Sequence, residues 1–284
     1  VNIGWFGVNI SIPKLLEKAV ILSWFSGGHD SLVATHIASL AARKYGAEFK
    51  VVHIDTTIYI PETRRFVTEV CKRYNWPLEI IRGEISFEEG LMRWGWPSLI
   101  GYRWCKRVLK EHAIRNYLKK LSGRKIVNIL GLRKKESNIR FDWLKNTDPV
   151  IYWNHHWYWL PIINWSKRLR DTYMRIHNLP RNPVVVKLGY SGECCCLAAT
   201  TPRTLEKIAR FYPEVARKLV ELDLKLQKTR KEKGSSYPHP LYKHKITLAE
   251  FIEKARKQST LDEFWKQKCG SCVFSPLLKA VEGV

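Results

Sequence analysis

Short apolar runs alternate with helical patterns along the first half of the chain, and this alternation restricts the fold more than any other feature. The first run, Ala19–Phe25 (AVILSWF), is followed by apolar residues at helical spacing from Ser31 to Tyr45. Strands separated by helical segments of about ten to fifteen residues predict an α/β fold of the Rossmann-like kind, a parallel sheet with helices on both faces. Further strands are predicted at Phe49–Ile54, Leu78–Ile81, Lys125–Leu130 and, as a last short strand, in Leu160–Trp165.

The composition changes near residue 200. Charged amphipathic helical patterns cover Thr204–Lys231 and Thr247–Lys266, and a loop rich in Gly, Ser, Pro and His separates them. We therefore predict an α/β nucleotide-binding domain over residues 1–200 and a small helical C-terminal subdomain over residues 201–284.

The charge balance points to an anionic partner. Lys and Arg number 49 against 26 Asp and Glu, which gives a formal net charge of +23. This excess excludes an acidic, cation-buffering protein and favours nucleic acid, a phosphorylated small molecule or an anionic membrane surface as partner. A basic solvated surface, such as that of a heat-adapted protein, is the alternative. No apolar run approaches the ~20 residues of a membrane-spanning helix, and no secretion signal is visible, so we expect a cytoplasmic protein.

The loop after the first strand has the composition of an anion site. Ser26–Ser31 (SGGHDS) lies between a predicted strand and a predicted helix. Two glycines allow a tight turn, so backbone N–H groups and the start of the helix can face one anion. The loop is neither a Walker A motif nor GxGxxG. An ordinary turn capped by Asp30 or Ser31 is the alternative explanation.

Five segments, taken in order, resemble one family. SGGHDS resembles the SGGxDS pyrophosphate-binding loop (PP-loop) of the adenine nucleotide alpha-hydrolase-like superfamily. The remaining segments resemble the motifs DTG…PET, WC…LK, GxRxxES..R and PI..W…LP.NP of the phosphoadenosine phosphosulfate (PAPS) reductase family within it. They are VHIDT and PET in residues 52–63, RWCKRVLK in residues 103–110, GLRKKES with Arg140 in residues 131–140, and PI, W, LP and NP in residues 161–183.

The resemblance implies an adenine nucleotide at the carboxyl ends of the parallel strands. The nucleotide would be ATP, adenylyl sulfate or PAPS, with Mg²⁺ as a further candidate companion. One residue departs from the superfamily pattern, because His29 stands where Lys is frequent. The residues implied to bind the nucleotide are Ser26, Gly27, Gly28, His29, Asp30, Ser31, Asp55 and Lys134. The residues implied to be catalytic are Cys105, Asp30, Arg133 and Arg140.

The cysteines are clustered in a way that is typical of metal or redox chemistry. Cys194 and Cys196 form a CxC pair, and Cys269 and Cys272 form a CxxC pair. Four thiolates suit either tetrahedral zinc or an iron–sulfur cluster. The resemblance favours a [4Fe–4S] cluster, because several relatives carry one beside the nucleotide. Cys195 or Cys105 could replace one of these four ligands.

A second departure from the family pattern concerns the nucleophile. Sulfonucleotide reductases of this family use a cysteine in a C-terminal ECG[LI]H segment, and this chain ends in CGSCVFSPLLKAVEGV without it. Cys105 is a candidate sulfur carrier near the nucleotide, whereas Cys71 lies in an apolar helical pattern and is predicted to be core. Trp153–Trp159 is densely aromatic and suits either packing beneath the site or stacking on single-stranded bases.

These features lead to one functional hypothesis and two alternatives. The hypothesis is ATP-dependent, adenylating and pyrophosphate-releasing sulfur transfer to a nucleic acid, tRNA or DNA, with an iron–sulfur cluster and a sulfur or electron donor protein. The first alternative is an adenylyl-sulfate or PAPS reductase with a relocated nucleophilic cysteine. The second is a non-catalytic nucleic-acid-binding module with structural zinc. The oligomeric state is left open.

Overall fold

The fold is described from a computed structural model. It describes residues 6–7, 10–98, 103–136, 141–142, 144–198, 200–234 and 247–257. Three residues with predicted roles, Arg140, Cys269 and Cys272, lie outside these ranges.

A seven-stranded sheet forms the frame of the described residues, with the order β1-β6-β7-β5-β2-β3-β4. The five strands from β7 to β4 are parallel, while β6 pairs antiparallel with β7 and β1 pairs antiparallel with β6. The strands are β1 Phe6–Gly7, β2 Ala19–Trp24, β3 Glu48–Asp55, β4 Leu78–Arg82, β5 Lys125–Ile129, β6 Val150–Trp153 and β7 His156–Trp159. The predicted α/β fold with a mainly parallel sheet is confirmed.

Helices connect the strands and follow them. A π-helical segment, Lys106–Glu111, leads directly into α5, and residues 248–257 are helical as well. The other helices are α1 Ile12–Leu16, α2 His29–Tyr45, α3 Pro61–Arg73, α4 Phe87–Trp94, α5 His112–Lys119, α6 Lys167–Ile176, α7 Pro183–Leu188, α8 Pro202–Phe211 and α9 Pro213–Glu232.

The helices cover both faces of the sheet because successive strand residues point to opposite sides. On one face, Ile21 and Val127 pack against α1 and α2, and Val51 packs against α2, α3 and α6. On the other face, Val20 and Leu22 pack against α5. The strands β2, β3 and β5 are therefore buried on both sides, which explains their nearly continuous apolar runs.

The strand order reverses direction between β2 and β5. From β2 the chain proceeds outward through β3 and β4, and it then returns to place β5 on the opposite side of β2. This reversal makes the carboxyl ends of β2 and β5 a switch point of the sheet, and open α/β sheets bind ligands at such points. The loop after β2 is SGGHDS, and the loop after β5 begins at Gly131.

Contacts divide the chain into two compact units. The first comprises Val1–Gly90 and Leu99–Cys196, and the second comprises Leu91–Ser98 and Leu197–Val284. Within the second unit, Trp96 Nε1 donates to Asp223 Oδ1 at 2.7 Å. The division into domains at residue 200 stays a prediction.

Two local predictions were wrong in their details. Leu160–Trp165 forms turns, and the strands before it are the aromatic hairpin β6–β7. Pro161 has no N–H for a strand ladder, whereas the aromatic residues of the hairpin favour strands. The helical pattern over Thr204–Lys231 is two helices, because Pro213 lacks the N–H that a continuous helix needs and starts α9 instead.

No helix within the described ranges is long and apolar enough to cross a bilayer.

Gly131 is a point where the fold leaves no room for a side chain. A Cβ there would lie 2.5 Å from Ser31 Cα and Ser31 N, which are backbone atoms that cannot move aside. We predict that Gly131→Ala lowers the free energy of unfolding by about 1–3 kcal/mol, the cost of overpacking, as measured by denaturant unfolding.

Gly28→Ala is the matched control for this prediction. Gly28 has a φ of −77°, and its nearest neighbour to a new Cβ is Ser26 Oγ at 3.4 Å. The free energy of unfolding of this variant should lie within about 0.5 kcal/mol of the wild-type value. Equal stability of Gly131→Ala and the wild type would contradict the close approach of β5 to α2.

Candidate active site

The loop between β2 and α2 turns at Gly27. This residue has a φ of +81°, and a Cβ there would lie 2.8 Å from Thr63 Cγ2, so both backbone and space require glycine. Gly28 is the N-cap of α2 and provides no side-chain cap. The first N–H groups of α2 are therefore left for another acceptor, which gives this helix end the character of an anion site.

Three serines surround the space above Gly28. A Cβ built at Gly28 would lie 3.4 Å from Ser26 Oγ, 3.6 Å from Ser31 Oγ and 3.7 Å from Ser191 Cβ. Ser26 and Ser31 are joined through their hydroxyls at 3.0 Å. The hydroxyls and the helix start thus form a cradle that a single methyl group would fill. We call Ser26, Gly27, Gly28 and Ser31 with Ser191 the phosphate cradle.

A buried amide holds the cradle in place. Asn182 is fully buried, and its Nδ2 donates to Gly27 O at 2.8 Å. Its Oδ1 accepts from Val184 N at 2.9 Å, so the same side chain caps α7. Asn182 belongs to the NP motif, but no role was predicted for it because its contact with Gly27 joins distant parts of the chain.

Asp30 anchors the start of α2. Its Oδ1 accepts from Arg133 Nε at 2.9 Å and from Arg170 Nη1 at 2.8 Å. Arg170 also donates to Asp171 through Nε at 3.0 Å and Nη2 at 2.7 Å. Arg133 and Arg170 are 4% and 8% exposed. Their buried positive charges therefore depend on the negative charge of the Asp30 carboxylate. Arg170 was not among the predicted site residues, because no local pattern distinguishes it from the other basic residues of α6.

Two polar atoms near the cradle are buried without a partner among the described residues, His29 Nε2 and Arg133 Nη1. Burial, followed by the charges of Arg170 and Arg181, lowers the pKa of His29 to about 4, against opposing effects of Asp171 and Asp30. His29 is therefore neutral near pH 7. Buried groups of this kind are normally paired, so both atoms are suited to meet a bound ligand.

The end of β3 contributes a second polar group. Asp55 Oδ1 accepts from Thr57 N at 2.8 Å, and Asp55 Oδ2 pairs with Arg64 Nη2 at 2.7 Å. The Arg64 guanidinium lies 4.4 Å from the centre of the Tyr59 ring. Lys134 follows β5 and bonds through its backbone N to Ile163 O at 2.8 Å. Asp55 thus lies at the end of β3, as predicted, and Lys134 lies in the segment after β5. Their contacts with a nucleotide stay predictions.

One segment connects the cradle to the cysteines. Ser191 borders the cradle, and its carbonyl accepts from the Thr63 hydroxyl. Further along, Ile60 N donates to Gly192 O, and Cys195 N donates to Ile58 O, both at 2.8 Å. Residues 190–196 therefore follow the loop between β3 and α3, and they bring the cysteines to the carboxyl edge of the sheet.

Three thiols converge at the end of this segment. Cys105 Sγ and Cys196 Sγ are 3.7 Å apart and buried. The hydrogen bond with Cys196 lowers the pKa of Cys105 against the effect of burial. The pKa of Cys194 lies well above its ordinary value, because of its hydrogen bond with Cys196 and then burial. Of Cys105 and Cys194, the Cys105 thiol is the one that ionises more readily, which suits a nucleophile.

A cation lies beside these thiols. Lys110 Nζ pairs with Glu193 Oε1 at 2.8 Å. Burial alone would lower the pKa of Lys110, but Glu193 and the neighbouring Cys194 raise it, so Lys110 stays charged.

The thiol group fits a metal only in part. Two thiolates on one tetrahedral zinc ion, each at about 2.3 Å, are about 3.8 Å apart, and the sulfurs of Cys105 and Cys196 match that separation. However, no three His, Cys, Asp or Glu side chains in the described part of the chain are arranged to hold a metal ion. The four-cysteine site of Cys194, Cys196, Cys269 and Cys272 stays a prediction, since two of its members lie outside the described ranges.

The other cysteines are placed differently. Cys195 is fully buried, and its sulfur lies 3.6 Å from the Tyr190 hydroxyl. Burial raises its pKa to about 12. Burial likewise raises the pKa of Cys71 to about 12, and Cys71 packs in the core between α2 and α3.

Known proteins resemble this chain over the part that forms the site. A family model for the phosphoadenosine phosphosulfate reductase domain matches residues 20–195. An uncharacterized protein of Methanocaldococcus jannaschii is 30% identical over 200 residues, which are 70% of this chain and 40% of that protein. A phosphoadenosine 5'-phosphosulfate reductase of Thiocapsa roseopersicina is 28% identical over 212 residues, which are 72% of this chain and 82% of that enzyme. The match with the archaeal relative thus spans less than half of its length.

Among solved structures, the phosphoadenylyl-sulfate reductase of Candida auris in complex with phosphate aligns with 64% of this chain and 86% of that chain. The TM-score is 0.46 and the sequence identity is 19%.

The neutral His29 gives a prediction about pH. Its pKa is about 4 in the folded protein and 6.5 as a free side chain, so protonation favours the unfolded chain. As the pH falls from 6.5 to 4, the wild type should lose about 3 kcal/mol more unfolding free energy than His29→Asn. Denaturant unfolding at a series of pH values measures this difference. Parallel stability curves for the two proteins would show that His29 titrates normally and is not buried in this way.

Proposed function

The chain belongs to the phosphoadenosine phosphosulfate reductase family, and we propose that it is an enzyme that binds ATP and transfers sulfur to a nucleic acid. The match with the family model confirms the family that the SGGHDS loop and the segments after it indicated. The reaction, the sulfur acceptor and the cofactor are part of the proposal.

The observation that carries the proposal is the placement of a glycine- and serine-lined cradle and a buried thiol pair at one edge of the sheet. Gly28 lies at the centre of the cradle, and residues 190–196 extend from Ser191 beside it to Cys196. Cys105, whose pKa is lowered by its hydrogen bond with Cys196, lies 3.7 Å from that sulfur. Nucleotide activation and sulfur chemistry can therefore take place on neighbouring parts of one ligand site.

The first step activates the acceptor. An oxygen of the nucleic acid attacks the α-phosphorus of ATP, the new O–P bond forms, and pyrophosphate leaves with the electron pair of the broken P–O bond. The N–H groups at the start of α2 stabilise the charge that develops on the phosphates, because they are held in position before the reaction. Arg133 Nη1, buried without a partner in the described part of the chain, is available to a phosphate oxygen.

The second step places the sulfur. A persulfide on Cys105, loaded by a sulfur donor protein, attacks the activated carbon through its terminal sulfur, and AMP leaves with the C–O bonding electrons. Cys196 then attacks the Cys105 sulfur, which releases the thiolated acceptor and leaves a Cys105–Cys196 disulfide. A thiol reductant restores both cysteines with two electrons. The 3.7 Å between the two sulfurs suits this exchange.

The proposal also includes a metal centre. Cys194 and Cys196 with Cys269 and Cys272 would hold a [4Fe–4S] cluster, or zinc, and a cluster when bound supplies inorganic sulfide or electrons. Cys196 would then be one of the ligands, and a thiol of the sulfur donor protein would release the product.

Sulfonucleotide reduction is a second candidate, which the identity with the Thiocapsa roseopersicina enzyme over 82% of its length favours. Here the Cys105 thiolate attacks the sulfur of adenylyl sulfate or PAPS, and the nucleotide leaves as the S–O bond breaks. Cys196 then attacks Cys105, which releases sulfite and forms the same disulfide. The two candidates share the cradle and the thiol pair and differ in the substrate.

Pyrophosphate release from ATP, measured anaerobically with tRNA, with DNA and with neither, tests the proposal. We expect release that one of the nucleic acids stimulates. Gly28→Ala, which keeps the fold, should reduce it at least about tenfold, because its methyl group fills the cradle. Cys105→Ser should still release pyrophosphate but should leave no sulfur in the acceptor, because only the second step needs that thiol.

The contrary result has a definite meaning. If no acceptor stimulates pyrophosphate release, or if Gly28→Ala releases it at the wild-type rate, adenylation at the cradle is wrong. Sulfite formed from adenylyl sulfate or PAPS would then identify the reductase reaction, and Cys105→Ser should abolish it.

A further inference from the structure

A basic cleft opens along α6. Its volume is about 940 Å³. The cations Lys167, Arg168, Arg175 and Arg181 line it together with one carboxylate, Asp171, and a floor that includes Met174 and Leu179. Four positive side chains against one negative side chain make this cleft a region of positive potential.

The cations of the cleft form no ion pairs within the described part of the protein. Lys167, Arg168, Arg175 and Arg181 are exposed, and none of them forms an ion pair with a described residue. The one carboxylate, Asp171, is already occupied by Arg170, which donates to it twice. The four positive charges are therefore available to an anion from outside.

The cleft adjoins the phosphate cradle. Arg170 joins Asp171, which lines the cleft, to Asp30 at the start of α2. On the other side, Arg181 precedes Asn182, whose amide holds Gly27. The charges of Arg170 and Arg181 also lower the pKa of His29 in the loop. An anion in the cleft therefore lies next to the site where the nucleotide is proposed to react.

We propose that the α6 cleft binds the sugar–phosphate backbone of the nucleic-acid acceptor and leads it to the phosphate cradle. This inference rests on the proposed function, because it names the surface that holds the acceptor of that reaction.

The spacing of the cations favours a polymer over a small anion. Arg168 and Arg175 are seven residues apart on α6, which is about 10 Å of helix rise, or the rise of about three nucleotides of one strand. A small phosphorylated molecule needs cations that converge on one point, whereas Arg168 and Arg175 are separated along the axis of α6. The phosphates of a nucleic acid repeat along such a line.

Salt-dependent binding of a fluorescently labelled single-stranded oligonucleotide, as RNA and as DNA, tests the cleft. The variant is Arg168→Gln with Arg175→Gln, compared with the wild type from about 50 to about 200 mM salt. We expect about a tenfold loss of affinity and a slope of log K against log salt that is shallower by about 1.4, for two lost phosphate contacts. ATP affinity should be unchanged, since neither arginine touches the cradle.

Lys119→Gln with Lys120→Gln is the matched control. It removes the same charge from the exposed end of α5, on the opposite face of the sheet. This variant should bind the oligonucleotide within about twofold of the wild type, because its lysines lie outside the cleft.

The outcomes separate the two claims. If the cleft variant keeps the wild-type affinity and salt slope, or if the control variant loses as much affinity, the cleft does not bind the nucleic acid. The proposed function would then still stand. Loss of ATP binding with nucleic-acid binding intact also overturns it, because the cleft would then serve the nucleotide. A wild-type protein that binds no oligonucleotide but releases pyrophosphate overturns the inference together with the nucleic-acid partner.

Discussion

The carboxylate of Asp30 is the interaction on which the site depends. It belongs to the first turn of α2, and it accepts hydrogen bonds from Arg133 after β5 and from Arg170 on α6. Three segments that are far apart in the chain are thereby fixed around the start of one helix. Because both arginines are buried, removal of the carboxylate would leave charges in a medium that disfavours them, so the arrangement is a unit. Arg133 Nη1 is buried beside this pair without a partner among the described residues. Asp30 thus holds two other groups in position, and the nucleotide contact that the sequence resemblance implied for it stays a prediction.

Around this anchor, the switch point of the sheet brings together two kinds of chemistry. The cradle above Gly28 needs backbone that approaches closely, and Gly27 and Gly131 supply it at positions where a Cβ would meet other atoms. The thiols need burial and a neighbour that stabilises the ionised form, and Cys105 obtains this from Cys196. Residues 190–196 connect the two through backbone hydrogen bonds to the loop after β3. The proposed nucleotide-dependent sulfur chemistry requires a phosphate site and a thiol pair at the same edge of the sheet.

The sequence predicted the features that depend on local pattern. Strands β2 to β5 follow from their apolar runs, and the loop at Ser26–Ser31 follows from its glycines between a strand and a helix. Contacts between distant segments could not be predicted, so Arg170 was missed and Asn182 and Ser191 received no role. The β6–β7 hairpin was missed because its aromatic residues suited packing or base stacking as well as a strand. The separation of Cys105 and Cys196, 91 residues apart in the chain, likewise emerges only from the fold.

The central claim is that the cradle binds the phosphates of an adenine nucleotide. Isothermal titration of ATP and of adenylyl sulfate into the wild type and into Gly28→Ala tests it most directly. The wild type should bind at least one of these nucleotides with saturable heat. Gly28→Ala, whose methyl group would occupy the cradle, should lose at least about tenfold in affinity. Equal affinity of the two proteins would place the nucleotide elsewhere, and the absence of binding to the wild type would contradict the account as a whole.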